Sequence, residues 1–117
     1  MGMTPPNGPR TLNPADLLDI DSVLTDDERA VRDTVRALCR DVVEPHIREW
    51  YESGSLPTRE LAREFGALGL LGMHLDGYGC AGASAVDYGL ACLELEAADS
   101  GIRSLVSVQG SLAMFAI

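Results

Sequence analysis

The sequence predicts an all-α fold, a small helical bundle. Three observations carry that expectation. Apolar residues return at helical spacing in several stretches, most clearly Val31, Val35, Leu38 and Val42. Thr25 with Glu28, and Ser84 with Asp87, have the spacing of helix-capping boxes ahead of two such stretches. Pro45, Gly54, Pro57 and Gly69 punctuate the periodic stretches. At 117 residues, 46% of them hydrophobic and 23% charged, the chain makes at most one modest domain with a core.

The elements follow in chain order. Residues 1–14 are rich in Pro, Gly, Asn and Thr. They lack the apolar segment of a secretion signal and the Arg-rich make-up of a mitochondrial presequence, so residues 1–24 are expected to form a flexible leader. A short helical turn is expected over 13–18. Thr25 then caps a helix whose first turn carries Asp26 and Asp27, where the helix dipole favours negative charge. Arg29, Arg32, Asp33, Arg36, Arg40 and Asp41 lie mostly off its apolar stripe, and Arg29 can pair with Asp33 one turn on. That face reads as solvated.

Pro45 is expected to end or kink this helix near Glu44. One or two further turns follow over 47–53, with Trp50 and Tyr51 as local core. His46 reads as a surface or packing residue. Leu61, Phe65 and Leu68 mark a third helix, stopped by Gly69. Residues 70–75 form a short apolar link in which His74 is structural. The glycine-rich stretch 76–83 reads as a turn, because it lacks the Lys-Ser/Thr end of a phosphate loop and no strand precedes it. Ser84 starts the next helix, over 85–98. At about 100° per residue, Val86, Leu90, Leu93 and Ala97 share one face, with Asp87 and Glu94 in a narrow polar sector beside it. Glu96 falls elsewhere, among Gly89, Cys92 and Leu93.

Asp99-Ser100-Gly101 forms a tight corner, with Ser100 the expected cap and Gly101 the pivot of a last helix. That helix is still apolar at Met114, Phe115, Ala116 and Ile117, without a C-cap residue, an ending expected of a domain cut short and one that invites association.

Net charge is −9 and the pI is near 4.4, which argues against nucleic acid or an anionic membrane as the main partner. No apolar run is long enough to span a bilayer. Cys39, Cys80 and Cys92, with only His46 and His74 beside them, build no zinc motif. They read as reduced thiols in a cytoplasmic protein.

Arg103 is the only Lys or Arg after Arg63, and its sequence neighbours are small or apolar. Such a guanidinium needs an anionic partner or a wet pocket. Glu96 lies one turn before the corner, on a mostly apolar side. The two can form a paired site for a charged ligand, or equally a structural ion pair.

The stretches Gly77-Tyr78-Gly79-Cys80-Ala81-Gly82, Leu93-Glu94-Leu95-Glu96, and Asp99 through Arg103 and Ser104 to Gln109 resemble the acyl-CoA dehydrogenase family, and its glutaryl-CoA branch in particular. The resemblance runs from near Leu24 to Ile117. It implies that residues 25–117 are the family's N-terminal helical domain, with the β-domain and C-terminal helical domain absent. It implies that Arg103, Ser104 and Ser107 bind the terminal carboxylate of the substrate, with Glu96 supporting the arginine. No catalytic residue is expected here: the base that takes the α-proton, and most FAD contacts, belong to the missing parts. The 117-residue chain alone is therefore expected to be inactive.

For a whole enzyme the resemblance implies oxidative decarboxylation of glutaryl-CoA to crotonyl-CoA and CO2. A carboxylate base acts at the α-carbon and a flavin takes hydride from the β-carbon. Electrons pass to an electron-transfer flavoprotein, and a homo-oligomer, tetrameric by family, is implied. Two alternatives stand beside this: another acyl-CoA dehydrogenase in which Arg103 meets a different polar acyl tail, and a non-catalytic helical interaction module.

Overall fold

A computed structural model describes residues 11–117. The expectation of a flexible leader falls partly on residues 1–10, outside that range. Among the described residues there are helices, turns and no strands. Five α-helices carry the fold: α1 (Asp26–Leu38), α2 (Ile47–Ser53), α3 (Thr58–Ala67), α4 (Ala85–Ala98) and α5 (Ser100–Ser107).

Ahead of α1, residues 11–19 run through turns. The Asp16 carboxylate accepts from the amides of Ile20 and Asp21, which start a single 3-10 turn over Ile20–Val23. Thr25 and Glu28 then form the expected reciprocal box at the start of α1. The predicted stripe faces inward: Val35 and Leu38 are buried, with Val31 and Val42 packed beside them.

The charged face of α1 differs from expectation. Arg29 pairs with Asp26 and Asp21, not with Asp33. Asp33 is taken by Arg32, which also bonds Asp21. Pro45 neither ends the helix nor makes a simple kink. It has no amide to give to the preceding turn, so the backbone bonding shifts upstream of it. A wide π-type turn over Cys39–Val43 and a tight 3-10 turn over Glu44–His46 absorb the change, and α2 follows directly.

Trp50 packs against the core and stacks on the exposed His46, ring centroids 5.5 Å apart. Tyr51 is not core: it is 88% exposed, on the opposite side of a short helix. In α3, Leu61 and Phe65 are buried, whereas Leu68, just past its end, is exposed. Gly69 stops the helix in the left-handed conformation (φ 73°), which a glycine adopts at no steric cost.

The core is one cluster in which Val35, Val43, Phe65, Leu95, Ile102 and Val106 are almost fully enclosed. It sits where α4 packs against α1 on one side and α5 on the other. The inward face of α4 is not the predicted one. Leu90, Ala91, Glu94 and Leu95 point in, while Val86 and Leu93 are about half exposed. This helix is apolar on nearly every side, so periodicity alone does not choose its buried face. The choice falls to Glu94, which meets Arg36 of α1 with both oxygens, at 2.9 and 3.0 Å.

Candidate functional site

The corner between α4 and α5 is a single non-helical residue, Asp99, in extended conformation (φ −168°, ψ 132°). Its carboxylate accepts from the amides of Gly101 and Ile102. Asp99, not Ser100, is therefore the cap, and the turn pivots at Asp99, with Gly101 already inside α5. The cap lets α5 fold back along α4 with no loop, which brings the two sequence-predicted charges together.

Arg103 Nε donates to Glu96 Oε2 at 2.7 Å, and Arg103 Nη1 donates to Ser107 Oγ at 3.1 Å. The expected pairing across the corner is present. The Arg103 side chain is 36% exposed and that of Glu96 50%. The pair lines the surface of the seam and is not sealed in the core. Its bond to Glu96 pushes the Arg103 guanidinium further up from its already high ordinary value, so it is a permanent cation. The second Nη1 hydrogen and both on Nη2 have no partner among the described residues. Ser104, half-buried, stands next on the same helix.

Two further rows of residues extend the site beyond what the sequence suggested. Tyr88, Cys92 and Glu96 recur every fourth residue on α4, and Arg103, Ser107 and Ser111 do so along α5 and the wide π-type turn (Val108–Met114) that continues it. The rows face each other in antiparallel order. Glu96 meets Arg103 at one end, and at the other Tyr88 Oη shares a 2.8 Å hydrogen bond with Ser111 Oγ. Burial pushes the Tyr88 phenol up from its ordinary value, and the bond to Ser111 offsets part of that. Burial also pushes the Cys92 thiol up, while the Tyr88 hydroxyl and the Arg103 charge pull it back. Behind Tyr88 lies the ring of His74, centroids 4.3 Å apart. His74 Nδ1 is buried without a hydrogen-bond partner among the described residues, and the ring contributes its face to Tyr88. The signal that would have revealed Tyr88 and Ser111 is the four-residue spacing on both sides of the corner.

The larger cleft, between residues 11–24 and α1 and α4, carries Asp16, Asp19, Asp21 and Glu94, and its two guanidiniums, Arg32 and Arg36, are already paired. The second cleft, at the corner by Trp50 and Ile102, has a carboxylate, Asp99, and no cation in its walls. No group of His, Cys, Asp or Glu among the described residues could hold a metal ion, and the cysteines are free. No helix is long and apolar enough to cross a membrane.

A bundle of helices with no strand among the described residues matches the N-terminal helical domain of an acyl-CoA dehydrogenase. The family model described as "Acyl-CoA dehydrogenase, N-terminal domain" matches residues 25–117. The chain belongs to the acyl-CoA dehydrogenase family. Among solved structures it is similar to glutaryl-CoA dehydrogenase from Mycobacterium smegmatis, at 70% identity and a TM-score of 0.84, covering 88% of this chain and 27% of that one. It is also similar to a glutaryl-CoA dehydrogenase from Mycobacterium smegmatis in complex with FADH2, at 59% identity and a TM-score of 0.86, covering 92% of this chain and 28% of that one. The chain thus spans just over a quarter of the length of these relatives.

Proposed function

We propose that this chain serves as the N-terminal helical domain of a flavin-dependent glutaryl-CoA dehydrogenase and supplies the site for the substrate's distal carboxylate. The observation that carries the proposal is the half-tied guanidinium of Arg103. Glu96 and Ser107 fix its Nε and Nη1. The open Nη1/Nη2 edge can accept a carboxylate end-on through two charge-assisted hydrogen bonds. Ser104 adds a neutral hydrogen bond from the next position, and Ser107 bridges arginine and ligand. Glu96 orients the arginine and balances its charge when no ligand is bound. A plain acyl tail offers this edge nothing, so the site discriminates by the carboxylate it leaves unpaired or pairs.

The overall reaction is oxidative decarboxylation of glutaryl-CoA to crotonyl-CoA and CO2. FAD supplies the oxidising chemistry, with most of its contacts outside this chain. The base is also outside it, and the 117 residues alone are inactive. The family further suggests an electron-transfer flavoprotein as acceptor and a homo-oligomer, tetrameric by resemblance; the free cysteines fit a cytoplasmic location, and the composition of the N-terminal segment fits residues 1–24 as a leader ahead of a domain over 25–117.

The test is an enzyme assembled from this chain and the remainder of the 70%-identical relative. Arg103→Gln keeps the length and polarity of the side chain but removes its charge. It should lower kcat/KM for glutaryl-CoA by about 100-fold or more, the size of a lost charge-assisted contact, and that for butyryl-CoA by about twofold or less. Equal loss on both substrates rejects the anchoring role.

A further inference from the structure

We propose that Tyr88 is a positioning residue for the Arg103 site, acting through the far end of the α4/α5 seam; the inference rests on the carboxylate-anchoring reading above. The two helices are joined by the single residue Asp99, so the corner fixes only the near end of the seam. The Glu96–Arg103 pair lies beside that corner. The Tyr88–Ser111 bond lies eight residues further along each partner, about 12 Å at helical rise. It pins the far end.

That pin is backed by the loop that carries His74. Tyr88 is backed by the His74 ring. The His74 loop is held by Ala83 N donating to Met73 O at 2.7 Å and Leu75 N donating to Gly72 O at 2.9 Å. Gly110, beside Ser111, presses on the same loop so closely that a Cβ there would stand 3.1 Å from Gly72 N. Loop, α4 and the wide turn over Val108–Met114 therefore meet at one point, and the Tyr88 hydroxyl is its hydrogen bond across the seam.

Ser107 is the last residue of α5 before the wide turn. If the Tyr88–Ser111 bond is lost, Gly110 still rests on the Gly72 backbone, but the turn loses its hydrogen bond to α4 and Ser107 is held less closely against Arg103 Nη1. Glu96 still holds Nε. The guanidinium then keeps its charge, but the second of its two restraints is weakened and its open edge is less well aimed. Binding of a distal carboxylate suffers, while a ligand without one is indifferent.

Tyr88→Phe removes the hydroxyl and keeps the ring on His74; Ser111→Ala removes the other half of the bond. In the assembled enzyme each should raise KM for glutaryl-CoA about five- to tenfold, the size of one hydrogen bond, with kcat and butyryl-CoA kinetics within about twofold. The double variant should be no worse than either single one, because both remove the same bond. Arg103→Gln is measured beside them. If it abolishes the preference for glutaryl-CoA and Tyr88→Phe and Ser111→Ala do not touch KM, the positioning role is overturned and the anchoring role stands. If the two variants slow both substrates alike, Tyr88 only holds the fold and the proposal is overturned. If Arg103→Gln itself leaves the preference intact, the anchoring reading fails and this one with it.

Discussion

The guanidinium of Arg103 is tied at Nε and Nη1 and has no partner at Nη2 among the described residues, and a one-residue corner does this. Asp99 was legible only as part of a corner; that it, rather than Ser100, accepts the helix amides depends on backbone angles. Arg103 itself was plain in the sequence, because a lone cation in an apolar stretch demands a partner. Cys39 gives a second residue-scale expectation. Burial pushes its thiol from 9.0 up to about 11. Between those values the unfolded chain has released a proton that the folded chain retains. The stabilising contribution is complete below pH 9 and is lost as pH rises through 11. The urea midpoint of the chain should therefore fall more steeply over that range than the midpoint of Cys39→Ala. Parallel curves would contradict the assignment.

At the scale of elements, α4 is the helix that the others are arranged around, and its orientation is set by one ion pair. Glu94 is 7% exposed at its side chain and Arg36 56%. Removing the arginine strands a buried carboxylate, whereas removing both charges does not. Arg36→Met should cost about 1–3 kcal/mol, between the exposed-pair and buried-pair ranges because Arg36 is half in solvent. Arg36→Met with Glu94→Leu should recover most of it. Thermal denaturation of the two variants checks this, and a double variant as unstable as the single one would contradict it. The capping boxes of α1 and α4, the stripe of α1 and the stop at Gly69 were all readable, since each is a local pattern. The inward face of α4 was not. Val86, Leu90, Leu93 and Ala97 make as good a stripe as Leu90, Ala91 and Leu95, and only α1 supplies the guanidinium that decides between them. The wide turns over Cys39–Val43 and Val108–Met114 were likewise hidden. The first answers to Pro45, and the second lies where Gly110 meets the Gly72 backbone, a contact 38 positions apart in the numbering.

For the molecule as a whole, a net charge of −9 surrounds a single seam in which the one cation after Arg63 is displayed. The candidate site was half legible: Glu96, Arg103, Ser104 and Ser107 from pattern and resemblance, but Tyr88 and Ser111 only once the helices were folded against each other. The central claim is that Arg103 receives the distal acid of a thioester ligand. A crystal structure of the assembled enzyme with a non-reactive glutaryl-CoA analogue tests it most directly. The terminal carboxylate should lie end-on to Arg103 Nη1 and Nη2, at about 2.7–2.9 Å, with Glu96 still on Nε. A carboxylate bound elsewhere, with the Nη edge of Arg103 facing only water, would contradict it.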